Sequence, residues 1–112
     1  MEKISPEELY SLYKDTLFKC QSKIFNYADD IIEMMVFEDF VIGATSFLHD
    51  NSLNRLLDNH LIGKKQYDLS RKIRALLFEI EDCGELTLVC LKGQAEKWKH
   101  LTSRVDEAVA GL

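Results

Sequence analysis

The sequence is poor in residues that build covalent or metal-bound frameworks. Its three cysteines, Cys20, Cys83 and Cys90, are odd in number and show no Cys-x-x-Cys spacing. This argues against a disulfide scaffold and a zinc site, and it is typical of a reducing compartment. We therefore interpret each cysteine as a small buried hydrophobic side chain.

A long apolar run is also missing. The longest apolar stretches, at positions 34–37 and 86–91, are far shorter than the roughly 20 residues that a membrane span needs. The first eight residues contain no apolar run behind a basic stretch, so no secretory signal is expected. We expect a cytoplasmic protein without a membrane partner. With 46% apolar and 29% charged residues among 112, the composition is that of one folded domain rather than a disordered chain.

Motifs that carry catalysis or bind cofactors are absent as well. The sequence has no Gly-x-Ser-x-Gly elbow, no Walker glycine loop and no dinucleotide fingerprint. It also lacks the paired Glu-x-x-His segments of metal sites in helical bundles. Glu96 and His100 stand four residues apart and are interpreted as a surface ion pair rather than as metal ligands. His49 and His60 are interpreted as solvated or capping side chains. We expect no catalytic residue, no metal site and no cofactor, and hence no enzyme.

The first helix is predicted from its start signal. Ser5 and Glu8 form a capping box, and Pro6 occupies the first helical position, where it has no hydrogen bond to lose. Apolar residues then recur at steps of three and four, at Leu9, Tyr13, Leu17, Cys20, Ile24 and Tyr27. This single stripe predicts one helix that continues to about Tyr27.

Helical periodicity covers most of the remaining chain, in the segments 29–49, 53–61, 69–80 and 86–112. The segment 29–49 predicts a central, mostly buried helix with a break considered near residues 37–39. Residues 86–91 alone would also suit a strand. Because no second strand exists to pair with it, we interpret this stretch as helix, weakened or kinked at Gly93. The sequence predicts an all-α, single-domain bundle of about five helices over residues 1–112.

The net charge of −5 is unevenly distributed. Residues 28–60 carry a net −6, and residues 64–74 carry a net +4 from Lys64, Lys65, Arg71, Lys72 and Arg74 against one acid. Tyr67 is the only aromatic residue beside these cations, and stacking on bases needs aromatic side chains. Direct binding to nucleic acid is therefore disfavoured. We interpret the basic cluster as a solvated helix face that pairs with nearby acids.

The acidic block is the candidate partner-binding surface. It consists of Asp29, Asp30, Glu33, Phe37, Glu38, Asp39, Phe40, Asp50 and Asp58. Aromatic anchors inside an acidic rim are suited to a basic partner protein. In the alternative interpretation, Phe37 and Phe40 belong to the core and the acids are the wet side of an amphipathic helix. Both interpretations stay open at this point.

A compact, acidic, all-helical chain of this length resembles bacterial immunity proteins, including those of contact-dependent growth inhibition systems and bacteriocins. The resemblance rests on size, charge and architecture over the whole chain. It implies a protein that neutralises a toxin, often a basic nuclease, by covering its active site or its substrate groove. It transfers no individual residue.

A second resemblance rests on short segments, which are 41–44 (Val-Ile-Gly-Ala), then Leu48, Asp50, Leu53 and Leu56, and 69–73 (Leu-Ser-Arg-Lys-Ile). They look like the helical core of mannitol-operon repressor proteins and cover about a third of the chain. His49 separates Leu48 from Asp50 where that family tends to have Leu-Asp adjacent, and the chain is shorter and lacks the family's Arg-Asn…His ending. This resemblance implies a transcriptional regulator or adaptor without its own DNA-binding motif.

These observations together predict a protein–protein interaction module, an immunity protein that binds a basic, nuclease-type toxin. Its carboxylates would steer the toxin and occupy phosphate sites, while Phe37, Phe40 or Tyr27 would supply anchors. The regulator is the alternative, and an enzyme with an undeclared site is a third option. Apolar positions recur at seven-residue spacing from Leu88 to Leu112. An exposed stripe there would favour a homodimer.

Overall fold

The computed structural model describes residues 4–82 and 84–112, and within these ranges the secondary structure is helical without any strand. The elements in chain order are α1 (Pro6–Phe18), a 3₁₀ turn (Ser22–Asn26), α2 (Asp29–Ile32), a π-helical segment (Glu33–Phe40), α3 (Val41–Phe47), α4 (Asp50–Asp58), α5 (Lys64–Asp82), α6 (Leu88–Gly93) and α7 (Ala95–Ala110). The predicted all-α single domain is confirmed. The interpretations of the first three residues and of Cys83 lie outside the described residues. None of the described helices combines the length and apolar character required to cross a membrane.

Helix α1 begins as predicted and ends earlier than predicted. The hydroxyl of Ser5 accepts a hydrogen bond from the backbone N–H of Glu8 at 3.1 Å, and Pro6 follows at the start of the helix. The helix ends at Phe18 instead of continuing to Tyr27. The prediction of one long first helix is therefore wrong beyond Phe18.

A contact with α7 accounts for this early end. The carboxylate of Asp106 accepts hydrogen bonds from the backbone N–H and the hydroxyl of Ser22, after the chain has become extended at Gln21. The 3₁₀ turn that follows still directs Ile24 into the core, and Cys20 is completely buried. The apolar pattern thus predicted burial correctly, whereas the tertiary contact decided the backbone conformation.

Helix α2, the π-helical segment and α3 follow one another without interruption and form what we call the central helix (residues 29–47). The break considered near residues 37–39 is absent. The buried side chains of this helix and of the residue that ends it are spaced by four: Ile32, Val36, Phe40, Ala44 and Leu48. We call these five side chains the buried row.

Spacing by four does not suit a uniform α-helix. Four α-helical residues turn the chain roughly 40° past a full revolution, so a row with this spacing would wind around the helix. In the π-helical segment the hydrogen bonds span five residues, as from the backbone N–H of Val41 to the carbonyl of Val36. Each turn then contains more residues, and four residues fall short of a revolution. The π-helical segment thereby cancels the winding of the buried row around the helix axis that α2 and α3 alone would cause. The buried row stays on one side of the central helix.

A second row with the same spacing lies on the opposite side of the central helix. It consists of Asp30, Met34, Glu38 and Ile42, all of them exposed. Met34 is 48% exposed and Ile42 is 67% exposed, which is high for large apolar side chains in a folded domain. We call these four residues the outward row, in which acidic and apolar side chains alternate.

Gly43 allows α3 to lie directly against α1. A Cβ atom at this position would stand 2.6 Å from Oγ1 and 3.0 Å from Cγ2 of Thr16. Thr16 is buried, and its hydroxyl donates a hydrogen bond to the carbonyl of Leu12 at 2.9 Å, so its side chain has little freedom to yield. The missing side chain at Gly43 therefore sets the distance between the two helices.

Residues 88–91 belong to helix α6, as interpreted, whereas Leu86 and Thr87 precede the helix, and none of the six residues forms a strand. The hydroxyl of Thr87 accepts a hydrogen bond from the backbone N–H of Cys90 at 3.2 Å and so caps α6. Helix α6 ends at Gly93, and α7 begins after Gln94, whose backbone leaves the helical conformation. The weak point predicted at Gly93 is confirmed.

Helix α7 packs mainly against α5 and buries most of the predicted C-terminal stripe. Trp98 and Val105 are completely buried and Leu91 nearly so, while the ring of Phe37 meets Trp98 edge-on with centroids 5.6 Å apart. Because most of these side chains contact the core, the stripe is not a continuous exposed seam, and a homodimer through it stays a prediction.

We expect Gly43→Ala to lower the free energy of unfolding by about 1–3 kcal/mol, the usual cost of an extra methyl group in a filled contact. The better helix propensity of alanine works against this loss by at most about 1 kcal/mol. Gly93→Ala is the matched control, because a Cβ atom there meets nothing within 4 Å. Urea denaturation measures both variants. A Gly43→Ala protein as stable as the Gly93→Ala protein would contradict the contact with Thr16.

Candidate interaction surface

The aromatic anchors proposed from the sequence face the interior. Phe40 is completely buried, so the structure contradicts its predicted role as an anchor for a partner. Phe40 stands four residues after Val36 and four before Ala44, so it lies on the same buried side of the central helix. Phe37 is half-buried against Trp98, and Tyr27 is half-buried against the core. Anchoring by Phe37 or Tyr27 stays a prediction, because part of each side chain reaches the surface.

Two of the predicted acids form ion pairs with lysines of other helical elements or turns. Asp29 pairs with Lys92 on α6 at 3.0 Å, and Asp39 pairs with Lys19, just after α1, at 3.3 Å. All four side chains are substantially exposed, so each pair contributes at most about 1 kcal/mol to stability. Breaking either ion pair therefore costs little free energy. A cation of a partner protein that binds the carboxylate more tightly could replace the lysine.

Asp50 has a structural role at the junction of α3 and α4. Its carboxylate accepts a hydrogen bond from Arg74 on α5 at 2.8 Å, and Arg71 lies 3.7 Å away. The same Arg74 nitrogen donates to the backbone carbonyl of Leu48 at 3.1 Å, which stabilises the end of α3. The hydrogen bond from Arg74 is the main cause that lowers the pKa of Asp50. Asp50 thus faces α5 and belongs to the scaffold rather than to the outward row.

The other four predicted acids have no ion-pair partner within residues 4–82 and 84–112, and all are exposed: Asp30, Glu33, Glu38 and Asp58. Asp30 and Glu38 lie in the outward row, and Glu33 lies about one turn from Asp30. Asp58 lies apart, at the end of α4. Since residues 28–54 contain no lysine or arginine, the central helix presents a negative surface that its own sequence does not neutralise.

A groove of about 360 Å³ runs between α1 and the central helix. Its apolar part is formed by Leu12, Ile42 and Phe47, and its acidic part by Asp15, Glu38 and Asp39. Lys19 also borders it and is the partner of Asp39. We call this feature the α1–α3 groove. It joins the outward row at Glu38 and Ile42.

Sequence reasoning missed Leu12, Ile42 and Phe47 as candidates for this surface. Each was assigned to no site because apolar residues in amphipathic helices are usually core residues. One signal could have identified Ile42, which stands two positions from both Phe40 and Ala44 and so lies on the opposite side of the helix. Nothing in the spacing identifies Leu12, whose exposure of 38% depends on how α1 packs.

The basic cluster on α5 matches its interpretation as a solvated face in contact with acids. Lys64 lies 3.4 Å from Asp68, and Arg71 contacts Asp50. The charged groups of Lys64 and Arg71 also lie over the ring of Tyr67. Both contacts involve Tyr67, the aromatic residue that stands beside these cations in the sequence.

Further side chains that could act as acids, bases, nucleophiles or metal ligands are His49, Glu96, His100 and Cys20. Nδ1 of His49 accepts a hydrogen bond from the backbone N–H of Asn51 at 3.2 Å and caps α4, as interpreted from the sequence. Glu96 and His100 border a cleft of about 470 Å³ between α5 and α7. They do not form the predicted ion pair. Burial raises the pKa of the Cys20 thiol, which disfavours the nucleophilic thiolate. The described part of the chain holds no cluster of three or more side chains suited to a metal ion.

Comparisons with protein-family models, with curated proteins and with solved structures found no match to this chain. The arrangement of its own side chains is therefore the basis for a functional proposal. The feature that stands out is a negative surface with exposed apolar side chains, formed by the outward row and the α1–α3 groove.

We expect Asp50→Asn to destabilise the protein at neutral pH, because the asparagine loses the charged interaction with Arg74. A lowered folded-state pKa means that the Asp50 carboxylate contributes stability above its unfolded-state pKa and loses this contribution as the pH falls through the folded-state value. The difference in unfolding free energy between the two proteins should therefore shrink below about pH 4. Urea denaturation from pH 7 to pH 2 measures it. Asp58→Asn, at an acid without an ion pair in the described chain, should show no such difference.

Proposed function

We propose that this protein is a protein-binding module of the immunity type, which neutralises a basic toxin by covering the surface that the toxin uses for its substrate. The observation that carries the proposal is the outward row with its neighbour Glu33. Three carboxylates there lack ion-pair partners in the described chain, and two large apolar side chains stand among them. The exposed apolar side chains are unfavourable in water, and the surface as a whole suits a partner with cations beside apolar groups.

The two kinds of side chain have different roles in this proposal. The carboxylates of Asp30, Glu33 and Glu38 attract a positively charged partner over several ångströms and so raise the rate of encounter. Met34 and Ile42 lose water only when the complex forms, and their burial slows dissociation. The cations of a nuclease that bind phosphate groups are the natural counterparts of these carboxylates. A cation of the nuclease that is paired with one of these carboxylates can no longer bind a phosphate group of nucleic acid.

The test is a pull-down of the tagged protein from its native host at low salt, with mass spectrometry of the proteins that co-purify. A stoichiometric, basic, toxin-like protein that is lost at high salt would support the proposal. Recovery of a transcription factor or a component of sugar transport would instead favour the regulator of the mannitol-repressor type. That outcome would contradict the immunity proposal.

For the partner so recovered, we expect Asp30→Lys combined with Glu33→Lys to slow association about tenfold or more at low salt, because the steering charge is reversed. The effect should diminish as salt screens the charges. Glu79→Lys combined with Glu81→Lys on α5 is the matched control, with the same change in net charge on another surface. Surface plasmon resonance at two salt concentrations measures both rates. Equal slowing by both double variants would assign the effect to net charge and contradict the proposed surface.

A further inference from the structure

The α1–α3 groove combines exposed apolar side chains with an acidic border. Ile42 is 67% exposed and Leu12 is 38% exposed, and Phe47 lies half-buried beside them. Exposed apolar side chains that are single need no explanation, but two exposed ones that border one depression beside the half-buried Phe47 form a patch. Val89, by contrast, is exposed on α6 without a described groove around it.

The border of the groove is negative. Asp15, Glu38 and Asp39 stand against a single cation, Lys19, which is already paired with Asp39 at 3.3 Å. Asp15 and Glu38 have no ion-pair partner in the part of the chain that the structure describes. An occupant of this groove must therefore place apolar groups at its centre and positive charges at its edge.

We propose that the α1–α3 groove binds an amphipathic helix of the partner protein, with one apolar row flanked by lysine or arginine. This inference rests on the proposed function and adds the structural form of the docking segment. The occupant lies between two helices, and an amphipathic helix can place its apolar face in a hydrophobic groove of this kind. An added strand would need an exposed strand edge, which residues 4–82 and 84–112 do not provide.

The spacing of the apolar side chains also suits a helix. Met34 lies in the outward row beyond the lining of the groove, eight residues from Ile42 on the same side of the central helix, which is about two turns. Apolar residues at positions i and i+7 of a docked helix span about the same distance. The π-helical segment keeps Met34 and Ile42 in one line, so a straight helix can contact both. Glu38 lies between them and would meet a cation of the docked helix.

The experiment uses a synthetic peptide of about 18 residues, five helical turns, made of leucine and lysine with the leucines on one helical face. A second peptide of identical composition has its leucines distributed around the helix. Each peptide is titrated into the ¹⁵N-labelled full chain at low salt, and amide chemical shifts report the binding site. We expect the first peptide to shift resonances at Leu12, Asp15, Glu38, Ile42 and Phe47, and to bind about tenfold more tightly than the second.

Two variants make the test specific for the groove. Ile42→Ser should weaken binding of the first peptide about tenfold, because its buried apolar contact is lost. Val89→Ser is the matched control, since Val89 is 81% exposed on α6 and lies outside the groove. Neither substitution affects a buried side chain, so both proteins should fold normally.

The outcomes separate the two proposals. Equal binding of both peptides, with shifts confined to Asp30 and Glu33, would overturn the groove while leaving the acidic surface in place. Shifts in the cleft between α5 and α7, or equal affinity of Ile42→Ser and Val89→Ser, would overturn the groove as well. If neither cationic peptide binds at low salt, the groove proposal is wrong, while the proposed function is decided separately by the pull-down.

Discussion

The central helix must keep one line of side chains buried even though these side chains are spaced by four residues. A uniform α-helix cannot do so over the distance from Ile32 to Leu48, because the line would drift out of the core. The π-helical segment Glu33–Phe40 removes the drift, and Phe40 and Val36 remain completely buried as a result. The contacts of α1 and α7 with this helix depend on that alignment, as does the edge-on contact between Phe37 and Trp98.

Alignment of the buried side has a consequence for the exposed side. Asp30, Met34, Glu38 and Ile42 stand in line because they share the spacing of the buried row. Single-turn π-helical insertions frequently occur at functional sites in other proteins. Here the segment places two acids without an ion-pair partner among the described residues, and two exposed apolar side chains, along one line. The groove depends on Gly43, because the close approach of its backbone to Thr16 brings α1 near enough to form the groove beside Ile42.

Much of the fold could be predicted from the sequence because burial and capping are local patterns. Ser5 with Pro6 marked the start of α1, and the three- and four-residue steps identified Leu9, Ile24 and Leu91 as apolar face residues. The end of α1 could not be predicted, because it depends on Asp106 of a helix more than 80 positions away.

The candidate surface was predicted only in part for a similar reason. The acids could be listed from their charge, but their ion pairs depend on tertiary contacts, such as that between Asp50 and Arg74. Phe40 could not be separated from exposed residues without the π-helical register. The exposure of Leu12 likewise follows from how α1 packs, which no local pattern encodes, whereas the spacing of Ile42 from Phe40 and Ala44 did contain a local signal.

The central claim is that the outward row and the α1–α3 groove form the partner-binding surface, and oxidative footprinting of side chains in the native complex tests it most directly. Met34 is readily oxidised when exposed, and Leu12 and Ile42 report on the groove. The account predicts that the partner protects these three side chains, while Val89 and Phe78 on other surfaces are oxidised as in the free protein. Unchanged oxidation of Met34 and Ile42, with protection elsewhere, would contradict it.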